Sequence, residues 1–398
     1  MRPRIDSEIG PLRHVITHRP GRELDRLTPS NIHSLLFDDV PWAARARDEH
    51  DQFVEVLASR GATVYRFAEL LAGALDTGDG RQFVLERTCT PERFGVQMAR
   101  TMRRLLDYVD GATLAELLIG GVLKSDIDSS TPAGLRWEAF GLDELVLPPL
   151  PNTLFQRDNS AWIGSGVTVN PMAKLARQRE SVHSRAVYRY HPLFRDTDFD
   201  VYYGDDDRDH RPATLEGGDL LVLAPGVVLL GMGERTTAPA VELLSHRLFA
   251  AGQAHTVVAL DIPRSRATMH LDTVLTMVDV ATFVVYPHLD LDTLRAWRIT
   301  PARTTGRRCM SRLREGCRAH SPTPCRWTRC TSCAPATTRA PRNASSGATA
   351  TTTSRSSRAW SSATTATWLP TRCSASTASR CSRSPVASSA AVAAARGA

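Results

Sequence analysis

Leu215-Glu216-Gly217-Gly218-Asp219-Leu220-Leu221-Val222-Leu223-Ala224-Pro225-Gly226-Val227-Val228-Leu229-Leu230-Gly231 is the stretch from which the fold can be read. An acid-bearing polar segment leads into an apolar run, Pro225-Gly226 turns the chain, and a second apolar run returns. That pattern is a β-hairpin over residues 219–231. A helical pattern follows at 237–250 and an apolar strand at 256–260.

The same layout recurs on both sides. Before it stand Asp158, a hairpin at 161–170 turning at Gly164-Ser165-Gly166, a helix at 176–188 and a strand at 199–203. After it stand Met269-His270-Leu271-Asp272 and a hairpin at 274–286 turning near Asp279. The polar entries are 58 residues apart from Asp158 to Glu216 and 54 from Glu216 to His270, and Arg177 and Arg235 are also 58 apart. A period of this size indicates one supersecondary unit repeated around an axis, which brings equivalent strand ends together at the centre. The stretch 273–287 reads as two strands, so His270 and Asp272, two residues apart, are expected to share a face.

Upstream, residues 12–17 alternate as a strand ending at Arg19-Pro20-Gly21, a helix is expected at 43–60, and a short strand at 63–67. Asp38-Asp39 ahead of that helix reads as its cap. From 68 to 128 the period turns helical, with Phe94, Met98, Met102, Leu105, Leu106, Leu114, Leu117 and Leu118 as its apolar positions, so a helical insert is expected in an α/β body. Cys89 lies there with no metal-ligand spacing around it and reads as an idle thiol.

The 398-residue chain is long enough for one large domain or two to three ordinary ones. Its net charge of +7 averages two unlike parts. Residues 1–300 hold 33 Lys and Arg against 41 Asp and Glu, a balance of −8; residues 301–398 hold 16 Arg against Glu315 alone, a balance of +15. The body is mildly acidic, so the overall charge is no nucleic-acid signal for it. Cys89 is the one cysteine of the body and seven more follow residue 308, a usage that suits a reducing compartment. Met1-Arg2-Pro3-Arg4-Ile5-Asp6 lacks an apolar run, and no stretch approaches the roughly 20 apolar residues of a membrane span. The expectation is a cytoplasmic protein.

Carboxylates, a histidine and arginines meeting at one point admit three chemistries. His270-x-Asp272 could open a two-histidine, one-carboxylate iron site with His288 or His320, although such sites usually sit in all-β folds. Paired carboxylates could cleave a glycosidic bond, which leaves His270 and the arginines without a task. In the third reading the carboxylates face a cation, and a planar guanidinium is the cation that two of them hold in fork geometry. The arginines would then receive the carboxylate end of an amino-acid substrate.

Asn152-Thr153-Leu154-Phe155-Gln156-Arg157-Asp158, Leu215-Glu216-Gly217-Gly218-Asp219, Gly231-Met232-Gly233-Glu234-Arg235 and Met269-His270-Leu271-Asp272 resemble, in order, the motifs of the arginine deiminase family. Leu27-Thr28-Pro29-Ser30-Asn31 and Leu36-Phe37-Asp38-Asp39 resemble that family's opening, and the resemblance covers residues 7–300. It implies an α/β fold, a five-bladed pseudo-symmetric propeller of ββαβ units with a helical insert. The expected division is a first propeller part at 1–67, the insert at 68–140, the remaining units with the site at 141–300, and a tail at 301–398. The resemblance also implies hydrolysis of L-arginine to L-citrulline and ammonia without metal or organic cofactor. The partner is then a small molecule rather than nucleic acid or membrane, and intact members can form homo-oligomers. Agmatine deiminase and amidinotransferase chemistry are the same-fold alternatives; Arg177 and Arg235 favour a substrate that keeps its carboxylate.

Position by position, Asp158 and Asp272 match the aspartates that grip the guanidinium, and Glu216 and His270 match the acid/base pair. Arg177 and Arg235 match the arginines that hold the substrate carboxylate; Asn152 and Phe155 match pocket residues. The reaction further needs a thiolate that forms an amidino adduct, which water then clears.

The resemblance stops where that thiol belongs, in a late segment like Gly-Arg-Gly-Gly-Pro-Arg-Cys-Met, which this sequence lacks. Residues 301–398 carry only Met310, Leu313, Leu369, Val386 and Val392 of the Val, Ile, Leu, Met and Phe set. The tail is expected to be unstructured and the last propeller unit unformed. A reading-frame shift near residue 301 accounts for this, because the 47 Arg against Lys124 and Lys174 indicate GC-rich coding. Joining the third base of each codon to the first two of the next allows residues 345–352 to be re-read as Gln-Trp-Gly-Asp-Gly-Asn-Asn. Residues 386–398 become Gly-Glu-Leu-Gly-Arg-Gly-Arg-Gly-Gly-Pro-Arg-Cys. None of Cys309, Cys317, Cys325, Cys330, Cys333, Cys373 or Cys381 lies in a nucleophile motif as written, so no citrulline formation is expected of this chain, and two readings stay open: an arginine deiminase by resemblance, or an arginine-binding remnant of one.

Overall fold

The structure, a computed structural model, describes residues 3–127, 134–204 and 208–301, and the backbone of two strands beyond them, Cys309–Leu313 and Arg326–Trp327. These two strands fall within the segment expected to be unstructured. The rest of that segment, with His320 and the side chains of the seven late cysteines, lies outside the described residues.

Strand β1 (His14–Thr17) pairs in parallel with β2 (Thr63–Arg66), and α1 (Ala43–Ser59) supplies the crossover that a parallel pair requires. The capping role expected of Asp38-Asp39 is not what the loop does. Trp42 stands at the N-cap of α1 without a side-chain bond, and Asp38 instead accepts from Arg266 Nε at 2.5 Å. That ion pair ties the loop before α1 to the chain just ahead of His270.

The longer helices of the insert are α2 (Phe67–Leu75), α3 (Gly78–Thr88), α4 (Val96–Asp107) and α5 (Gly111–Gly120), with the single turn Pro91–Phe94 between α3 and α4. Side-chain caps start two of them: Thr77 accepts from Gly80 N–H at 3.1 Å, and Asp110 from Thr113 N–H at 2.8 Å. Phe94, Met98, Met102, Leu106, Leu114 and Leu118 are all buried, as the helical spacing anticipated. Each such side chain contributes about 1.5–3 kcal/mol through the apolar area it removes from water. This apolar face joins Val167, Val169, Ala186 and Val187 of the next unit in one core, so the insert is packed onto the body. A short pair, β3 (Val122–Leu123) with β4 (Leu145–Leu147), leads back to it.

Two complete ββαβ units follow. In the first, β5 (Ser160–Ile163) and β6 (Gly166–Val169) form the hairpin, α6 (Gln178–Tyr190) crosses over, and β7 (Asp200–Tyr203) returns parallel to β6. In the second, β8 (Leu220–Ala224), β9 (Gly226–Met232), α7 (Ala238–Ala250) and β10 (Ala254–Asp261) repeat that order and pairing. The hairpins turn at Gly164 (φ 54°) and Gly226 (φ 77°), left-handed conformations that favour a residue without Cβ.

The third unit departs from the pattern. Its hairpin, β11 (Leu275–Asp279) with β12 (Thr282–Val285), forms, but no helix follows among the described residues. Instead β13 (Arg295–Thr300) runs antiparallel to β10, and β14 (Cys309–Leu313) adds to β13, giving a five-stranded sheet in the order β14-β13-β10-β9-β8. The remaining strand, β15 (Arg326–Trp327), pairs with β12. The described residues form a mixed α/β fold with five small sheets. Among the described residues no helix is long and apolar enough to cross a membrane.

Candidate active site

Each of the three hairpins is entered through a single helical turn, and these turns carry the polar cluster. They are Gln156–Asn159, Gly217–Asp219 and Leu271–Val274. Glu216 and His270 both occupy the residue just before their turn, as does Phe155; Asp158 and Asp219 are both third residues within one. The repeat is therefore offset from the acid-to-acid spacing of the sequence, and Asp158 corresponds to Asp219 rather than to Glu216. The strand expectation for His270 and Asp272 also gives way: His270 precedes a helical turn and Asp272 lies inside it. Thr273 and Val274 suit a strand by type, but Asp219 Oδ1 accepts the Leu271 N–H at 2.8 Å and holds the turn.

The turns bring Asp158, Glu216 and His270 into contact, all buried. His270 Nε2 donates to Glu216 Oε2 at 2.7 Å, and His270 Nδ1 lies 3.7 Å from Asp158 Oδ1. This approach depends on Gly218: a Cβ there would lie 2.7 Å from Asp158 Oδ1 and 2.9 Å from His270 Cγ. Asn152 donates from Nδ2 to the Leu35 carbonyl at 2.7 Å, fixing the same N-terminal loop that Asp38 and Arg266 hold. Asp272 is half-buried, near enough to Arg157 to stabilise its charge.

Both expected arginines are inside the cluster. Arg235 Nη1 donates to Glu216 Oε2 at 3.0 Å, while its buried Nε has no hydrogen-bond partner among the described residues. Arg177 Nη1 donates to Asp158 Oδ2 at 2.5 Å, its Nε and Nη2 reach Glu180, and Nη2 also reaches the carbonyls of Asn152 and Phe155. Its guanidinium lies 5.9 Å from the centre of the Phe155 ring. All three nitrogens of Arg177 are thus engaged. Glu180, buried three residues on, was not legible as a site residue beyond its i,i+3 spacing from Arg177.

Charge follows from these contacts. Burial opposes the charged form of Glu216, but the His270 bond and the His270, Arg235 and Arg177 charges outweigh it and hold the carboxyl at about 2. Burial likewise opposes a charged His270, and Asp158 and Glu216 raise it to about 10. Burial lowers Arg177 too, and the Glu180 and Asp158 charges more than reverse that. The cluster is an imidazolium and two guanidinium groups set against buried carboxylates.

Asp158, Glu216 and His270 also satisfy the spacing of a metal-binding trio. Their donor atoms are committed elsewhere: Glu216 Oε2 accepts from His270 and Arg235, and Asp158 Oδ2 from Arg177. A metal ion would sit among these positive groups. Of the iron set considered from sequence, His288 is exposed beside Tyr286, away from the cluster, and His320 lies outside the described residues. Cys89 is the free cysteine among the described residues. It sits in the insert, and burial pushes its thiol up to about 11 against the opposing pull of Arg103, Arg93 and Arg179.

A family model described as arginine deiminase matches residues 33–316. The chain belongs to the arginine deiminase family. The match takes in the whole cluster, from Asn152 to Asp272, and both complete ββαβ units. Among solved structures the chain is similar to a DDAH from Pseudomonas aeruginosa complexed with citrulline, at 14% identity over 69% of each chain with a TM-score of 0.37. It is also similar to an amidinotransferase of the saxitoxin biosynthetic pathway from Microseira wollei, at 16% identity over 72% of this chain and 70% of that one, with a TM-score of 0.39.

Proposed function

We propose that the site is built for L-arginine, and that its chemistry is hydrolysis of the guanidinium to L-citrulline and ammonia. The observation that carries this reading is the contact of His270 with Glu216 beside Asp158, in a cluster whose carboxylates already take guanidinium groups as partners. Asp158 and Asp272 orient the substrate guanidinium, which replaces Arg177 on Asp158. Arg177, so released, and Arg235 through its unused Nε receive the substrate carboxylate. Asn152 and Phe155 shape the pocket. A thiolate attacks the guanidinium carbon, and His270, charged at neutral pH, gives its proton to the departing ammonia. Glu216 stabilises that imidazolium, and the neutral imidazole then activates the water that clears the adduct.

The thiolate is the missing part. No cysteine lies near the cluster among the described residues, and Cys89 is kept protonated by burial. The reading for the chain as written is therefore arginine binding without turnover, with the nucleophile lost to a frame shift near residue 301. The purified 398-residue chain should bind L-arginine by calorimetry and form no citrulline, whereas a version re-framed near codon 301 should form it. Turnover by the unaltered chain would overturn the missing-nucleophile reading. A re-framed version that neither binds nor turns over L-arginine would overturn L-arginine as the substrate, and agmatine in parallel separates the decarboxylated substrate.

A further inference from the structure

Asp219 is fully buried and has no place in the roles given above. It is the counterpart of Asp158, the third residue of the equivalent entry turn one unit later. Its two oxygens differ. Oδ1 accepts the Leu271 N–H at 2.8 Å, while Oδ2 is buried and the Thr236 side chain lies close to the carboxylate. The Leu271 N–H is the first of the turn that His270 precedes, so the bond spans two units and sets where that turn begins. The surroundings leave it no slack: a Cβ on Gly231 of β9 would lie 2.9 Å from both Asp219 Oδ1 and Leu271 Cβ.

We propose that Asp219 is a positioning residue for His270: by accepting the Leu271 N–H it fixes the turn that carries the imidazole between Glu216 and Asp158. The entry turns of the first two units thus supply one aspartate each, Asp158 facing His270 directly and Asp219 acting through the backbone next to it. The charge of the imidazole is favoured by Asp158 and Glu216, with Asp219 adding to them through space, and is opposed by the Arg177 and Arg235 cations on the same Glu216 oxygen. Burial pushes the Asp219 carboxyl up to about 7, and either protonation state leaves Oδ1 able to accept. The inference deepens the guanidinium reading and depends on it only for the consequence in substrate binding.

The test is an NMR titration of labelled histidine in the 398-residue chain. In the parent, His270 should remain charged well above the ordinary histidine range. In Asp219→Ala the contact is gone, and the His270 midpoint should fall by about one pH unit or more as its carboxylate partners lose register. In Asp219→Asn the amide oxygen still accepts, and the shift should stay below about half a unit. An unchanged midpoint in the alanine variant overturns the proposal. So does an equal fall in the asparagine variant, since that assigns the effect to charge alone. If the alanine variant does not fold, the asparagine variant decides by the same half-unit limit. L-Arginine affinity, measured alongside, should fall at least tenfold in the alanine variant and little in the asparagine one. A parent that binds no L-arginine defeats the functional reading but leaves the titration result to stand on its own.

Discussion

The second and third units of the body begin alike and end differently. Both enter through a helical turn preceded by a site residue, Glu216 or His270, and both form their hairpin. The second then crosses over through α7 and returns β10 parallel to β9. In the third, the sequence after the hairpin, Pro287-His288-Leu289-Asp290-Leu291-Asp292, has no helical period. Without a crossover a parallel return is unavailable, and β13 takes the free edge of β10 in antiparallel pairing. Asp158, Glu216 and His270 come from entry turns, Arg177 and Arg235 follow their hairpins, and none lies on a closing strand, which is why the cluster assembles although the third unit does not complete itself.

If the entry turns carry the site, breaking one of them should have the largest effect on the body. Glu216→Gln removes the charge that His270 and Arg235 share. Leaving buried positive groups short of a partner costs about 3–5 kcal/mol, to be read as a fall in the urea midpoint at pH 7. The pH dependence has a definite sign. Glu216 is held below its unfolded value, so its contribution is present above the ordinary carboxylate range and is lost as pH falls toward about 2. The glutamine variant should therefore lose less stability on acidification than the parent. Equal acid sensitivity would show that the charge of Glu216 is not what the cluster relies on.

Gly218→Ala tests the same turn by shape instead of charge. The added methyl meets Asp158 and His270, neither of which can retreat without giving up a buried ion pair. Overpacking of this kind costs about 1–3 kcal/mol, and His270 should lose part of its raised pKa in the same NMR titration. An unchanged melting curve and titration would mean that the two residues are less closely held than their distances imply.

How far all this was legible differs between the two ends of a unit. Pro225-Gly226 and Gly164-Ser165-Gly166 announced the hairpins because turn chemistry is local, and the helical stripe of the insert was readable for the same reason. Asp158, Glu216 and His270 were found from a repeat and from their resemblance to the family. An acid-to-acid spacing hides the offset between repeats, because equivalent turn positions do not all carry acids. Position within the entry turns pairs Asp158 with Asp219. Glu180 and the Leu271 contact of Asp219 depend on neighbours far away in sequence, which local patterns do not encode. The antiparallel return of β13 was illegible for a further reason: it depends on which sheet edge stands open, a property of the assembled fold.

The smallest effect is expected at the closing end. Arg295 and Asp261 are cross-strand neighbours in β13 and β10, with Arg295 Nε donating to Asp261 Oδ2 at 2.9 Å. The arginine side chain is 59% exposed, so water and salt screen the pair. Such surface pairs contribute below about 1 kcal/mol, and Arg295→Ala should lower stability by no more than that, with the difference fading at high salt. The anchoring of β13 then rests on backbone pairing and on Ala296 and Ile299, which are buried while Arg295 and Arg298 face water. Affinity for L-arginine should not change, because no entry turn is touched. A loss of binding in this variant would mean that the closing strand does shape the site, and the separation drawn between the two ends of the unit would fail.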